Sequence, residues 1–216
     1  MKLNLLKEKL VKGDFNERFK EIYITNDLNV QKEVERYSKA LDEYEKLFGD
    51  QDIAIYSAPG RTEVGGNHTD HQHGKVLAAA VNMDAIAVVG RNDSNQINMR
   101  SEGYEVPSID LCDLTDKQEE RFTTESLIRG VSAKFKAEGY NIGGFNAYCT
   151  SNVLKGSGIS SSAAFEVLIG VILNHEFNDA AISPIEIAQI AQFSENVYFG
   201  KPCGLMDQTT CAVGGL

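Results

Sequence analysis

Apolar positions near the start of the chain recur at helical spacing. Leu3, Leu5, Leu6, Leu10 and Val11 follow it roughly, and Val34, Tyr37, Leu41, Tyr44 and Leu47 recur every three or four residues. The second set forms one face of an amphipathic helix that Gly49 and Asp50 close. Residues 1–50 therefore read as a charged helical extension whose apolar faces pack on a core. From Ile53 the period changes. Ile53–Ser57 alternates as a strand, and Pro59-Gly60 is read as its break. A loop rich in Gly, His and Asn follows to Gly74. Ala85–Val89 and Gln96–Arg100 read as a hairpin closed by Asn92–Asn95, with a third strand over Tyr104–Leu111.

A helix is expected over residues 124–138 and a strand over Phe145–Cys149. Gly156–Ser162 is small and polar, and it runs straight into the apolar segment Ala163–Leu173, read as a buried helix. Ser183-Pro-Ile-Glu186 is a capping box with proline at the first helical position. The helix it opens runs to about Tyr198 and ends at Gly200 and Pro202. Strands and helices in mixed order give an α+β fold with a mixed β-sheet and packed helices.

The length, 216 residues, suits one large domain or one and a half small ones, and a 42% hydrophobic content is ordinary for a soluble protein. The net charge of −10 argues against a nucleic-acid binder, which needs a basic surface for phosphates. It leaves nucleotide chemistry open, because a few local donors and a metal suffice there. Cys112, Cys149, Cys203 and Cys211 show no CxxC spacing and read as reduced thiols of a cytoplasmic protein. No signal peptide is visible, and no eighteen-residue apolar window suggests a membrane span.

Three segments can carry chemistry. The glycines and hydroxyls of Gly156-Ser-Gly-Ile-Ser-Ser-Ser162, feeding a helix N-terminus, would present backbone N–H groups to an anion. A serine-capped buried helix is the plain alternative. Neither GxxxxGK[ST] nor GxGxxG is present. Asp207 sits in an apolar setting that calls for a partner or a function, and Arg61 is a candidate partner. On spacing alone, Glu195 reads as a residue on a helix surface. Asn67-His-Thr-Asp-His-Gln-His73 could bind a small polar ligand through His68 and Asp70, hold a metal, or be a polar turn.

Taken together and in this order, the segments resemble the galactokinase branch of the GHMP kinases. Ser57-Ala-Pro-Gly-Arg-Thr-Glu-Val-Gly-Gly-Asn-His-Thr-Asp70 resembles that family's APGRVNLIGEHTDY signature. Leu154–Ala163 resembles its PxGxGLSSSA phosphate loop, and Glu195–Gln208 its AExxFxGxPCGIMDQ segment. The resemblance runs from about residue 40 to the last residue. It implies a GHMP kinase N-terminal domain (ribosomal protein S5 domain 2-like) over residues 51–216, with the family's C-terminal domain absent.

The resemblance also implies ATP-dependent phosphorylation of a sugar at its anomeric hydroxyl, with ATP and Mg2+ as cofactors and no nucleic-acid or membrane partner. Asp207 would face that hydroxyl, and Arg61 would pair with Asp207 and neutralise the transferring phosphoryl group. Gly156, Ser157, Gly158, Ser160, Ser161 and Ser162 would wrap the phosphates, and Ser162 and Glu195 would hold magnesium. Asn67, His68, Asp70 and Gly204 would contact the sugar. The chain departs from the signature at Glu63 (Asn in the family), Gly65 (Ile), Asn67 (Glu), His71 (Tyr) and Leu154 (Pro), which leaves the identity of the sugar open. The family also has non-catalytic relatives that sense sugar and ATP; the complete Ser160–Ala163 loop favours an enzyme. The truncated chain is expected to be inactive alone.

Overall fold

A computed structural model of the chain describes residues 1–153 and 158–215. Three helices come first: α1 (Leu3–Lys12), α2 (Asn16–Tyr23) and α3 (Asp27–Phe48). A sheet follows, made of β1 (Ala54–Gly65), β2 (Leu77–Arg91), β3 (Gln96–Ser101), β4 (Tyr104–Glu105), β5 (Ile109–Asp110) and β6 (Phe145–Ser151). Four more helices pack against it: α4 (Thr124–Ala137), α5 (Ser161–Phe177), α6 (Pro184–Phe193) and α7 (Met206–Val213). A π-helical turn, Ser194–Phe199, continues α6.

The strand order is β1-β2-β6-β3-β4, with β5 also on β3. Among the described residues, only the β3–β6 pair is parallel. The α+β, mixed-sheet reading therefore holds. The alternation along β2 explains why both faces of the sheet are covered. Ala85, Ala87 and Val89 join the core under α4–α7. Ile86 and Val88, with Tyr148 of β6, join a second core under α1–α3. A strand buried on both sides reads as an unbroken apolar run, which Ala85–Val89 is.

Three sequence expectations are corrected. β2 and β3 do not form a hairpin, because β6 lies between them. The Asn92–Asn95 connection arches over the start of β6, with Asn92 N–H donating to Gly144 C=O at 3.1 Å and Asn92 Nδ2 to Asn146 Oδ1 at 2.9 Å. A Cβ on Gly144 would lie 2.0 Å from Ser94 O, so this crossing requires glycine. Pro59-Gly60 does not end β1. The strand runs on to Gly65 through a register shift between Pro59 and Arg61. β1 is an edge strand, where a missing N–H leaves no ladder bond broken. Finally, the stretch Tyr104–Leu111 forms two short strands with Pro107 between them rather than one.

The capping box forms in part: Ser183 Oγ accepts the Glu186 N–H at 3.3 Å. Among the described residues, no helix is long and apolar enough to cross a membrane.

Candidate active site at the N-terminus of α5

The middle of β1 carries Arg61 beneath the turn that opens α5. Arg61 N–H donates to Ile159 C=O at 3.1 Å, and a Cβ on Gly60 would come within 2.9 Å of the same oxygen. Glycine at position 60 therefore lets the strand approach the loop backbone. The Arg61 guanidinium, 5% exposed, grips Asp207 with two parallel bonds, Nε to Oδ1 at 2.6 Å and Nη2 to Oδ2 at 2.7 Å. Its Nη1 donates to Gly158 C=O at 2.6 Å. Ser160 Oγ adds a third donor to Asp207, at 2.6 Å from Oδ2. Bidentate charge-assisted pairs of this kind fix orientation as well as charge.

Ser160 has a left-handed backbone (φ 59°) and precedes the first residue of α5, Ser161. The open N–H groups of this 17-residue helix and its dipole favour an anion here. Ser162 Oγ donates to Glu195 Oε1 at 3.0 Å. Glu195 is 1% exposed, which corrects the reading of it as a helix-surface residue. It lies in the π-helical turn, whose wider winding shifts its face relative to α6. Lys201 Nζ is 3.1 Å from the same oxygen. Burial opposes the Lys201 charge, but Glu195 outweighs it and raises the ammonium above its usual range.

A half-buried hydroxyl and a buried carboxylate, both hard oxygen donors, suit magnesium, which takes one or two protein oxygens and completes its shell with phosphates and water. The donor set therefore fits that ion.

Asp70 reaches across to α7, where its Oδ2 accepts the Met206 N–H at 2.9 Å. Gly204 sits against it: a Cβ there would lie 1.8 Å from Asp70 Oδ2. Asn67 and His68 are exposed and both left-handed (φ 54° and 51°). Glu63 accepts the His68 N–H at 2.8 Å and lies 3.4 Å from its Nε2. Among the described residues, no three His, Cys, Asp or Glu side chains gather as a metal site. The phosphate-loop residues Gly156 and Ser157 lie outside the described residues.

Sequence reasoning missed Glu166, Lys201 and Gln208 as parts of this region, and it singled out Glu63 without its contact to His68. Glu166 had a signal: it is the only charge in the apolar run Ala163–Leu173. Burial first, then the neighbouring Glu195 charge, push its carboxyl well above the ordinary range. Reasoning from sequence also missed a cavity of about 590 Å³ beside Ser161, lined by Val106, Phe122, Cys149, Val153 and Phe165 among others. Its mixed apolar and polar lining and its size suit a small ligand.

Residues 42–91 match the galactokinase galactose-binding signature, and residues 126–215 match the GHMP kinases N terminal domain. The galactokinase of Clostridium tetani is 32% identical over 173 residues, covering 80% of this chain and 44% of that protein. The chain belongs to the GHMP kinases, in their galactokinase branch. The Bacillus subtilis galactokinase is 31% identical over 174 residues, 79% of this chain and 44% of its own length. The crystal structure of Lactococcus lactis galactokinase complexed with galactose superimposes with a TM-score of 0.74 at 28% identity, covering 80% of this chain and 45% of that one. Methanococcus jannaschii mevalonate kinase shares the fold, with a TM-score of 0.63 at 14% identity over 76% of this chain and 52% of its own. This chain thus spans under half the length of the galactokinases it matches.

Proposed function

We propose that this galactokinase-branch chain serves ATP-dependent phosphorylation of a sugar at its anomeric hydroxyl. The observation that carries the proposal is the Arg61–Asp207 pair set beside the N-terminus of α5. Asp207, held by Arg61 and Ser160, presents a fixed carboxylate that orients a sugar hydroxyl and receives its proton. Arg61 adds positive charge where the phosphoryl group gathers negative charge. The backbone N–H groups at the start of α5, with Ser160 and Ser161, cradle the phosphates. The nucleoside occupies the cavity beside Ser161. Ser162 and Glu195 would hold a magnesium ion, which would supply charge neutralisation for the phosphates. On the sugar side, Asn67, His68, Asp70 and Gly204 surround the hydroxyl-bearing ring. Galactose is the first sugar to test, given the solved relative that holds it.

More than half of each curated relative has no counterpart in residues 1–216. We therefore expect little turnover from these residues alone. The test is a kinase assay with a panel of hexoses, ATP and magnesium, run on residues 1–216 and, where the gene encodes more, on that longer form. Asp207→Asn should lower kcat in the active form by at least about 10²–10⁴-fold while leaving the circular dichroism spectrum unchanged. Parent-like turnover in that variant would remove Asp207 from the chemistry.

A further inference from the structure

We propose that Gln208 and Glu166 form a buried relay that fixes the carboxylate of Glu195 in the orientation a divalent cation requires. The inference rests on the reading of Ser162 and Glu195 as the magnesium-binding pair.

The three side chains come from three elements: Glu166 from α5, Glu195 from the π-helical turn and Gln208 from α7. Glu166 and Gln208 are fully buried. Gln208 Nε2 donates to Glu195 Oε2 at 2.6 Å and lies 3.3 Å from Glu166 Oε2. An amide nitrogen has two hydrogens, and its neighbours here are the two carboxyl groups and, more distantly at 3.5 Å, Cys203 Sγ. The arrangement occupies Oε2 of Glu195 and leaves Oε1 facing Ser162 Oγ and Lys201 Nζ. Lys201 is largely exposed on its flexible stem, so its ammonium can withdraw from Oε1 when a cation arrives.

A carboxamide has nearly the same shape in its two flipped states, so packing alone does not choose between them. Flipped, Gln208 would set its oxygen against Glu195 Oε2, acceptor against acceptor. Glu166 offers a second acceptor on the amide side and so selects the state with the NH2 group toward Glu195. Glu166 therefore acts on Glu195 through Gln208, which makes it a positioning residue.

The cluster also has an unmet cost. Glu166 Oε1 and Gln208 Oε1 are buried with no hydrogen-bond partner. Each such group costs about 1–3 kcal/mol. A core that needed only filling would be at least as stable with apolar residues of the same volume. Holding a metal-facing carboxylate accounts for polar groups kept there at that cost, as partners behind a ligand commonly do.

The test uses residues 1–216, with ATP binding measured by calorimetry in the presence and absence of manganese. Manganese electron paramagnetic resonance reports the ion's coordination directly. In the parent, manganese should tighten ATP binding. Gln208→Met should cut that metal-dependent gain by about 10–100-fold and alter the resonance line shape. Metal-free ATP affinity should stay unchanged. Glu166→Gln, nearly the same shape, should cut the gain in the same direction by a smaller factor, and it decides the matter if Gln208→Met fails to fold. A full manganese gain in Glu166→Gln and in any folded Gln208→Met would overturn the relay alone. An equal loss of metal-free ATP binding would also overturn it, by showing a general structural role. A parent with no manganese dependence would overturn the magnesium reading, and the relay with it.

Discussion

Gly204 shows how closely single atoms set this site. Asp70 must pass it to reach the Met206 N–H, and a Cβ would stand 1.8 Å from Asp70 Oδ2 and 2.4 Å from its Cγ. Gly204→Ala therefore displaces Asp70 and frees the N–H next to Asp207. Misplacement by about 1 Å near the reacting atoms costs on the order of 10²-fold, so kcat/KM for the sugar should fall by about that factor. A parent-like value would show that the Asp70–Met206 bond is dispensable. Glu63 and Asn67 make a second, coupled case. Against the family signature they exchange Glu and Asn, and Glu63 holds the His68 backbone next to Asn67. Asn67→Glu alone would crowd two carboxylates into one loop. Adding Glu63→Asn should recover sugar affinity beyond the single variant. A hexose panel giving purely additive effects would count against the coupling. Arg61, Ser162 and Asp207 were legible in the sequence because their motifs are contiguous and ordered. The role of Gln208 was not, because it depends on which side chains it faces across the fold.

At the scale of elements, the layer α1–α3 is tied to the sheet by one buried polar knot. Arg36 Nη1 meets Asp84 Oδ1 at 2.7 Å and Nη2 reaches Asp84 C=O at 2.9 Å. Tyr23 OH donates to Asp84 Oδ2 at 2.8 Å, and Tyr37 bonds Tyr23 at 2.8 Å. Burial opposes the Arg36 charge, but Asp84 more than restores it and raises the guanidinium further. Asp84→Ala removes the carboxylate that Arg36 and Tyr23 share, leaving Arg36 with Glu33, and Tyr23 only with Tyr37. Breaking a buried pair costs about 3–5 kcal/mol, and urea unfolding should show a loss of that order. A loss under about 1 kcal/mol, the range of an exposed pair, would show that water replaces Asp84. The helical period of α3 was legible, since Tyr37, Leu41 and Tyr44 are all buried as spaced. The tie to Asp84 was not, because 48 residues separate it from Arg36. The false hairpin between β2 and β3 has the same origin. A four-residue polar turn between two apolar runs looks local, and only the distant β6 with Gly144 shows that the turn is a bridge.

For the whole molecule, the four cysteines sample both the core and the surface, and all four are free. Cys149 lies in β6 beneath α4–α7, 2% exposed, and burial pushes its thiol to about 12. Cys211 in α7 is 3% exposed, and burial, then the Asp207 charge, bring it to about 12 as well. Cys203 is half-buried, and burial followed by the Glu195 charge raises it. Cys112 is exposed. The thiolate is the reactive form, and a thiol at about 12 is ionised to only about one part in 10⁴ at pH 8. The sign follows directly: raised values suppress the anion, so the three shifted thiols stay unreactive until the fold opens or the pH approaches their range. Titration of the native chain with a disulfide reagent at pH 8 should therefore show one fast thiol, lost in Cys112→Ser, and four after denaturation. Fast labelling of Cys149 or Cys211 in the native chain, located by mass spectrometry, would mean that β6 or α7 opens to solvent, and that the packing holding Asp207 and Gln208 against Arg61 and Glu195 does not persist in residues 1–216.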